Sequence, residues 1–193
     1  MSKLYFRYGV MGSSKTAEAL MCRFNYIQKG FNVLLLKPSI DNRFETDTPQ
    51  VVSRIGIKAD CIKFNSNTNL IELYTRETSK QKIDVIIVDE CQFATTSQIE
   101  QLRRIAYDIP VLCYGLLTNF KTELFEGSKR LVEIADSLQE VKSVCKCGRK
   151  ASVNARLVNG KITTDGAEIL IGAEECYESM CYWCYRKKLY QNK

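Results

Sequence analysis

Apolar residues fall along the chain in two kinds of run. The segments Val33-Leu34-Leu35-Leu36, Val85-Ile86-Ile87-Val88 and Val111-Leu112-Cys113-Tyr114 are continuous, as strands covered on both faces of a parallel sheet must be. Between them, apolar residues recur at helical spacing. The helix expected over 16–29 carries Ala17, Leu20, Met21, Phe24 and Ile27 and stops at Gly30; the one over 96–107 carries Ile99, Leu102, Ile105 and Ala106. Further helices are expected at about 69–79 and 128–135, and strands at 3–8, 32–37, 61–64 and 83–88. Residues 38–50, with two prolines and five acidic or amide side chains, read as a long loop of the kind that usually carries function. Strands alternating with helices over the first 135 residues predict βαβ units and a mostly parallel sheet flanked by helices. Past about Leu138 the pattern changes to short strand-like pieces between cysteine pairs and glycine turns. The expected division is a larger α/β domain over 1–140 and a smaller one over 141–193.

The first strand runs into Gly9-Val10-Met11-Gly12-Ser13-Ser14-Lys15-Thr16, and a helix follows. Strand, small-residue turn, then Lys-Thr opening a helix is the context of a P-loop. Small residues let successive N–H groups converge on phosphate oxygens, and the helix N-terminus adds positive potential. Lys15 is placed to reach the β- and γ-phosphates and Thr16 to ligate Mg²⁺. Ser14 stands where the usual pattern has glycine. A positive φ there costs a serine about 1–2 kcal/mol, unless Gly12 takes over the flexible position. Alone, the stretch also suits an ordinary turn before a helix.

The buried strand over 83–88 ends in Asp89-Glu90. In P-loop proteins an Asp at such a strand tip holds the Mg²⁺ shell, and Glu90 can accept a proton from an attacking hydroxyl. The alternative is a pair of acids that only solvate a loop. Together the two motifs point to binding of a nucleoside triphosphate in a P-loop, RecA-like α/β fold.

Cys145-Lys146-Cys147 and Cys181-Tyr182-Trp183-Cys184 are separated by 33 residues. Two close pairs across a hairpin-length insert suit a structural four-thiolate zinc site with no open position. Free or buried thiols are the alternative. The other five cysteines, Cys22, Cys61, Cys91, Cys113 and Cys176, read as small hydrophobes.

Composition narrows the chemistry. Histidine is absent from the 193 residues, which removes imidazole acid–base catalysis, Ser-His and Cys-His pairs and His-containing metal sites. The formal charge of +6 is concentrated C-terminally: residues 142–193 carry 10 basic and 5 acidic side chains. A basic tail can mark nucleic-acid binding, but ionisation of the four metal-site thiols offsets it. No apolar run approaches the roughly 20 residues that span a bilayer, and no signal peptide is visible. A cytoplasmic protein with no membrane partner is expected.

These residues resemble the thymidine kinases of the small P-loop type with a zinc-binding lasso domain, in their bacterial branch. The most specific stretch is Asp89-Glu90-Cys91-Gln92-Phe93, similar to that family's Asp-Glu-x-Gln-Phe. Lys37-Pro38-Ser39-Ile40-Asp41-Asn42-Arg43-Phe44, Ser53-Arg54-Ile55-Gly56, Gly115-Leu116 with Phe120, and Ile171-Gly172 with Tyr177 and Cys181 carry the resemblance on. It implies transfer of the γ-phosphoryl group of ATP to the 5′-hydroxyl of thymidine, and of deoxyuridine, with Mg²⁺ and a structural Zn²⁺. Glu90 would be the proton acceptor. Gly9 to Thr16, Asp41, Arg43, Asp89 and Gln92 would serve the nucleotide and its metal. Phe120 would pack on the thymine ring, Tyr177 would contact the nucleoside, and backbone at Glu168, Ile169, Leu170, Ile171 and Gly172 would grip the base. A homotetramer that binds no nucleic acid is implied. Ser14 departs from the family pattern, as does Leu117, where relatives often carry a charge. Two other readings stay open: a regulatory P-loop protein that binds nucleotide without turnover, and a nucleic-acid-binding ATPase.

Overall fold

The computed structural model of the chain describes residues 3–40, 48–167 and 176–191. In chain order, β1 (Leu4–Tyr8), α1 (Lys15–Gln28) and β2 (Val33–Pro38) lead to a short hairpin, β3 (Gln50–Val52) and β4 (Lys58–Asp60). Then come β5 (Ile62–Phe64), α2 (Leu70–Lys80), β6 (Val85–Val88), a 3-10 turn at Cys91–Phe93, α3 (Thr96–Ile105), β7 (Val111–Gly115), α4 (Glu126–Ile134) and β8 (Ser137–Glu140). The C-terminal part holds β9 (Val153–Val158), β10 (Lys161–Thr163), β11 (Tyr177–Met180) and α5 (Tyr182–Gln191).

Six strands form one sheet in the order β5-β2-β6-β7-β1-β8, and every pairing in it is parallel. The continuous apolar runs are explained by period-two alternation between two cores. Leu34, Leu36, Ile86, Val88, Val111 and Cys113 face one way, onto Leu70 and Leu73 of α2, Ile99 and Leu102 of α3 and Leu131 of α4. Leu35, Val85, Ile87, Leu112 and Tyr114 face the other, onto Ala19 and Leu20 of α1. Each fully buried side chain contributes about 1.5–3 kcal/mol, so both cores resist slippage of register. Helix starts follow local chemistry: the Asn69 side chain accepts the N–H groups of Ile71 and Glu72 at α2, and Thr95 with Gln98 closes a capping box at α3.

Three features differ from the sequence expectation. The loop over 38–50 gives way at Gln50 to the β3–β4 hairpin, which the pattern did not announce. Ser137–Glu140 joins the edge of the main sheet beside β1. Most instructive is α1, whose regularly spaced Met21, Phe24 and Ile27 lie outward, 50%, 59% and 40% exposed, while Ala17, Ala19 and Leu20 are buried. Phe24 lies one turn beyond the buried Leu20 and two beyond Ala17, on the same face, so position along the helix makes the difference: burial is confined to the first turns, at Lys15, Ala17, Ala19 and Leu20.

After β8, β9 forms the centre of a three-stranded antiparallel sheet in the order β10-β9-β11. Its own small core comprises Cys145, Ala151, Val153, Ala155, Ile162, Met180, Cys181 and Tyr185, and Val10 of the turn after β1 is buried with them. Among the described residues, no helix is long and apolar enough to cross a membrane.

Candidate active site and metal centre

The turn over 9–14 joins β1 to α1 at the C-terminal edge of the parallel sheet. Gly9 is required sterically, since a Cβ there would lie 2.5 Å from both Ser13 Oγ and the Val141 carbonyl. Gly12 and Ser14 both adopt left-handed backbone, at φ 73° and 66°. Gly12 therefore does not relieve Ser14, which carries the strain directly. Ser14 makes no side-chain cap at α1, so the first-turn amides stay available as anion donors. The buried Lys15 ammonium folds back over the turn, donating to the Val10 carbonyl at 2.8 Å and to Ser13 Oγ at 3.3 Å.

β6 lies one strand removed from β1, with β7 between them, and its tip brings Asp89 to the helix start. The Thr16 hydroxyl donates to Asp89 Oδ1 at 3.4 Å. Burial first, and the neighbouring Glu90 second, push the Asp89 carboxyl up to about 7, against the Thr16 hydrogen bond and the Lys15 charge. A buried carboxylate beside a threonine hydroxyl on a phosphate turn is a donor set suited to a hard divalent cation such as Mg²⁺.

Glu90 follows at φ 52°, a left-handed conformation that turns the chain sharply off the strand and is costly for a non-glycine residue. Gln92 holds its side chain. The amide Nε2 donates to Glu90 Oε2 at 2.5 Å, while Oε1 accepts the Leu116 N–H at 3.0 Å. Gly115 makes room: a Cβ there would meet Gln92 Oε1 at 2.6 Å and Cys91 Sγ at 2.7 Å. The sequence reading grouped Gln92 with the nucleotide contacts; its amide is engaged on both sides within the protein.

On the far side of the turn, Phe120 is buried with the Arg156 guanidinium 3.6 Å from its ring centroid. Arg156 donates from Nε to the Tyr177 hydroxyl at 2.8 Å and from Nη1 to the Ala167 carbonyl at 2.8 Å. Phe120 and Tyr177 are thus brought together through a residue that sequence reasoning missed. Asp41, Arg43 and Glu168 to Gly172 lie outside the described residues. Arg54 was also missed, although its Ser-Arg-x-Gly stretch was quoted. Its Nη1 lies 3.9 Å from where a Cβ on Gly12 would sit, which sets a cation beside the turn.

The four sulfurs of Cys145, Cys147, Cys181 and Cys184 lie within 4.8 Å of one another. A tetrahedral zinc with bonds of about 2.3 Å needs sulfurs about 3.8 Å apart, and Cys147 and Cys181 stand at 3.6 Å. The short Cys-x-Cys spacing works because the chain turns tightly behind it. Gly148 sits at φ 83°, its N–H reaches the Cys145 carbonyl at 2.8 Å, and the Cys145 N–H reaches the Arg149 carbonyl at 2.7 Å. Backbone N–H groups of Cys147 and Cys181 hold the Cys145 thiol below its ordinary range, favouring the thiolate that a metal takes. Of the other cysteines, Cys91 and Cys113 are fully buried, as expected of small hydrophobes, whereas Cys22, Cys61 and Cys176 are partly exposed.

A phosphate turn opening α1, an acidic tip on a nearby parallel strand and a four-cysteine cluster define a P-loop nucleotide-binding protein with a C-terminal site that could hold zinc. The sequence profile described as "Thymidine kinase" matches residues 2–185. Thymidine kinase of Rhodopirellula baltica is 41% identical, over 99% of this chain and 91% of its own. That of Shewanella oneidensis is 43% identical, over 97% and 98%, and that of Enterobacteria phage T4 is 44% identical, over 94% of each chain. The chain belongs to the thymidine kinase family.

Proposed function

We propose that this chain transfers the γ-phosphoryl group of ATP to the 5′-hydroxyl of thymidine, and of deoxyuridine, which lacks only the ring methyl group. The turn over 9–14 wraps the phosphates, the α1 N-terminus supplies amide donors to them, and Lys15 spans the β- and γ-groups. Thr16 and Asp89 would hold Mg²⁺, which when bound would supply charge neutralisation on those phosphates. Glu90 accepts the proton of the attacking hydroxyl, and Gln92 keeps its carboxylate aimed. Phosphoryl transfer depends mainly on positioning and charge, so a carboxylate serves as base in a chain without histidine. Phe120 and Tyr177 wall the nucleoside, with Asp41, Arg43 and backbone at 168–172 assigned beside the substrates by family resemblance.

The observation that carries this reading is the convergence of Lys15, Thr16, Asp89 and Glu90 from two non-adjacent strands in a member of this family. Residues 1–140 act as the kinase domain and 141–193 as a zinc-binding lasso. This division is supported by β8, which ends at Glu140 in the main sheet, and by the cysteine cluster beyond it. The homotetramer is assigned by family resemblance; self-association is supported by the outward apolar face of α1, with Met21, Phe24, Ile27 and the following Phe31 all at least 40% exposed.

The test is ADP release from MgATP with thymidine, deoxyuridine, uridine or single-stranded DNA. Turnover dependent on thymidine and deoxyuridine supports the proposal. DNA-stimulated turnover without nucleoside, or ATP binding with no turnover on any acceptor, replaces it with a nucleic-acid-dependent ATPase or a regulatory nucleotide-binding protein respectively.

A further inference from the structure

The antiparallel register of β9 and β11 sets Asn154 opposite Ser179 and Arg156 opposite Tyr177. Residues two apart on a strand share a face, so these four side chains form two successive rungs on one side of the sheet. The alternate residues Val153, Ala155 and Met180 belong to the small core that contains Cys145, Cys181, Cys184 and Tyr185 of α5. The sheet therefore has an apolar back closed by the cysteine centre and a polar front turned toward the kinase body.

Each rung grips a different part of that body. At the first, Asn154 Oδ1 accepts the Met11 N–H at 2.7 Å and Ser179 Oγ donates to the Met11 carbonyl at 2.5 Å. Both backbone groups of one phosphate-turn residue are held by a cross-strand pair more than 140 residues away in sequence. Asn154 also donates from Nδ2 to the Thr118 carbonyl at 3.3 Å, and Val10 is buried in the core behind the sheet. At the second rung, Arg156 lies on the Phe120 ring and joins Tyr177.

We propose that Asn154 and Ser179 are positioning residues for the phosphate turn, and that Arg156 is the equivalent for the nucleoside wall, so that this sheet sets the spacing between donor and acceptor. The inference rests on reading residues 9–16 as the ATP site. Its physical basis is that a turn strained at Ser14 holds its shape only if its neighbours are over-determined. The two Met11 hydrogen bonds provide that from outside the kinase sheet. Removing one leaves a part-buried backbone group of Met11 without its protein partner, and the turn relaxes away from the geometry that receives phosphate.

The experiment uses the full-length, zinc-loaded protein. It measures the Kd of a non-hydrolysable MgATP analogue by calorimetry and KM for ATP and thymidine separately, with zinc content and thermal midpoint alongside. Asn154→Ala and Ser179→Ala are expected to raise Kd and KM for the nucleotide about tenfold, as for loss of one such hydrogen bond; in Ser179→Ala, which leaves the Asn154–Thr118 contact in place, KM for thymidine should stay within about twofold. Ser179→Thr, which retains the hydroxyl, should recover most of the loss. Arg156→Gln should do the reverse, raising KM for thymidine about tenfold with nucleotide Kd little changed. If Asn154→Ala fails to fold, Ser179→Ala with its threonine rescue decides the first rung. Unchanged nucleotide affinity in folded variants overturns the inference, as does an equal shift of both substrates at both rungs. A wild-type protein that binds no MgATP analogue overturns the ATP-site reading beneath it.

Discussion

Gln92 couples the carboxylate of Glu90 to the backbone of Leu116, the residue after β7. Its amide nitrogen donates to Glu90 Oε2 at 2.5 Å and its amide oxygen accepts the Leu116 N–H at 3.0 Å. A carboxylate at a strand tip would otherwise sweep a wide arc, so for Glu90 as the proposed base this bridge reduces the search for the reactive orientation. Glu90→Gln is expected to lower kcat by about 10²–10⁴-fold. Gln92→Leu, which keeps the bulk and loses the bridge, should lower kcat by about tenfold with little change in KM for ATP. Steady-state kinetics on both variants check this, and near-normal kcat in Glu90→Gln removes Glu90 as the base.

Ser14 holds φ 66° where glycine would be unstrained. Ser14→Gly relieves about 1–2 kcal/mol of backbone strain but adds unfolded-state freedom, for a net gain of about 0.5–1 kcal/mol. Tm by calorimetry should rise by about 2–3 °C, and KM for ATP should fall or stay level. A lower Tm would show that the serine side chain contributes something the glycine lacks.

The Asp89 carboxyl is raised to about 7 by burial and by Glu90. Its unfolded value is about 3.9, so between about pH 4 and 7 the ligand-free folded protein binds more protons than the unfolded chain. Stability contributed by the protonated group therefore declines as pH rises through that window and is gone above it. Asp89→Asn should gain Tm relative to wild type progressively from pH 5 to pH 7 and then hold a constant lead, while losing Mg²⁺-dependent activity. Thermal scans at pH 5, 6, 7 and 8 test this, and a difference that does not vary with pH places the proton elsewhere.

The cysteine geometry predicts one zinc per chain. Cys184→Ser should lower metal content in elemental analysis. It should also speed hydrogen exchange across β9–β11 and α5, whose core includes Cys145, Cys181 and Cys184, while β1, β6 and β7 stay protected. Loss of protection in both regions together would mean that the kinase sheet does not fold independently of the lasso.

The outward face of α1 suits contact with another copy of the chain. Phe24→Glu should reduce the assembly mass in analytical ultracentrifugation without lowering the monomer's helix content. A wild-type protein that sediments as a monomer ends the tetramer reading.

Much of this was legible in residue order. The runs over 33–36, 85–88 and 111–114 are continuous because both faces of those strands are covered, a local pattern with one simple cause. Gly9 to Thr16 and Asp89-Glu90 could be read because each function is served by neighbours in sequence, and the cysteine pairs by their spacing. Tertiary structure alone decided how far along α1 the apolar stripe is buried, because its first turns pack inward as far as Leu20 while Phe24, one turn further on the same face, lies outward. It also decided that Ser14 bears the strain, that Gln92 faces Glu90, and that Asn154, Ser179 and Arg156 reach across to Met11 and Phe120. The contacts of Asn154, Ser179 and Arg156 join residues tens to more than a hundred positions apart. A pattern with a period of two or 3.6 encodes which face a residue occupies, whereas the partner opposite that face is chosen only when the two sheets pack.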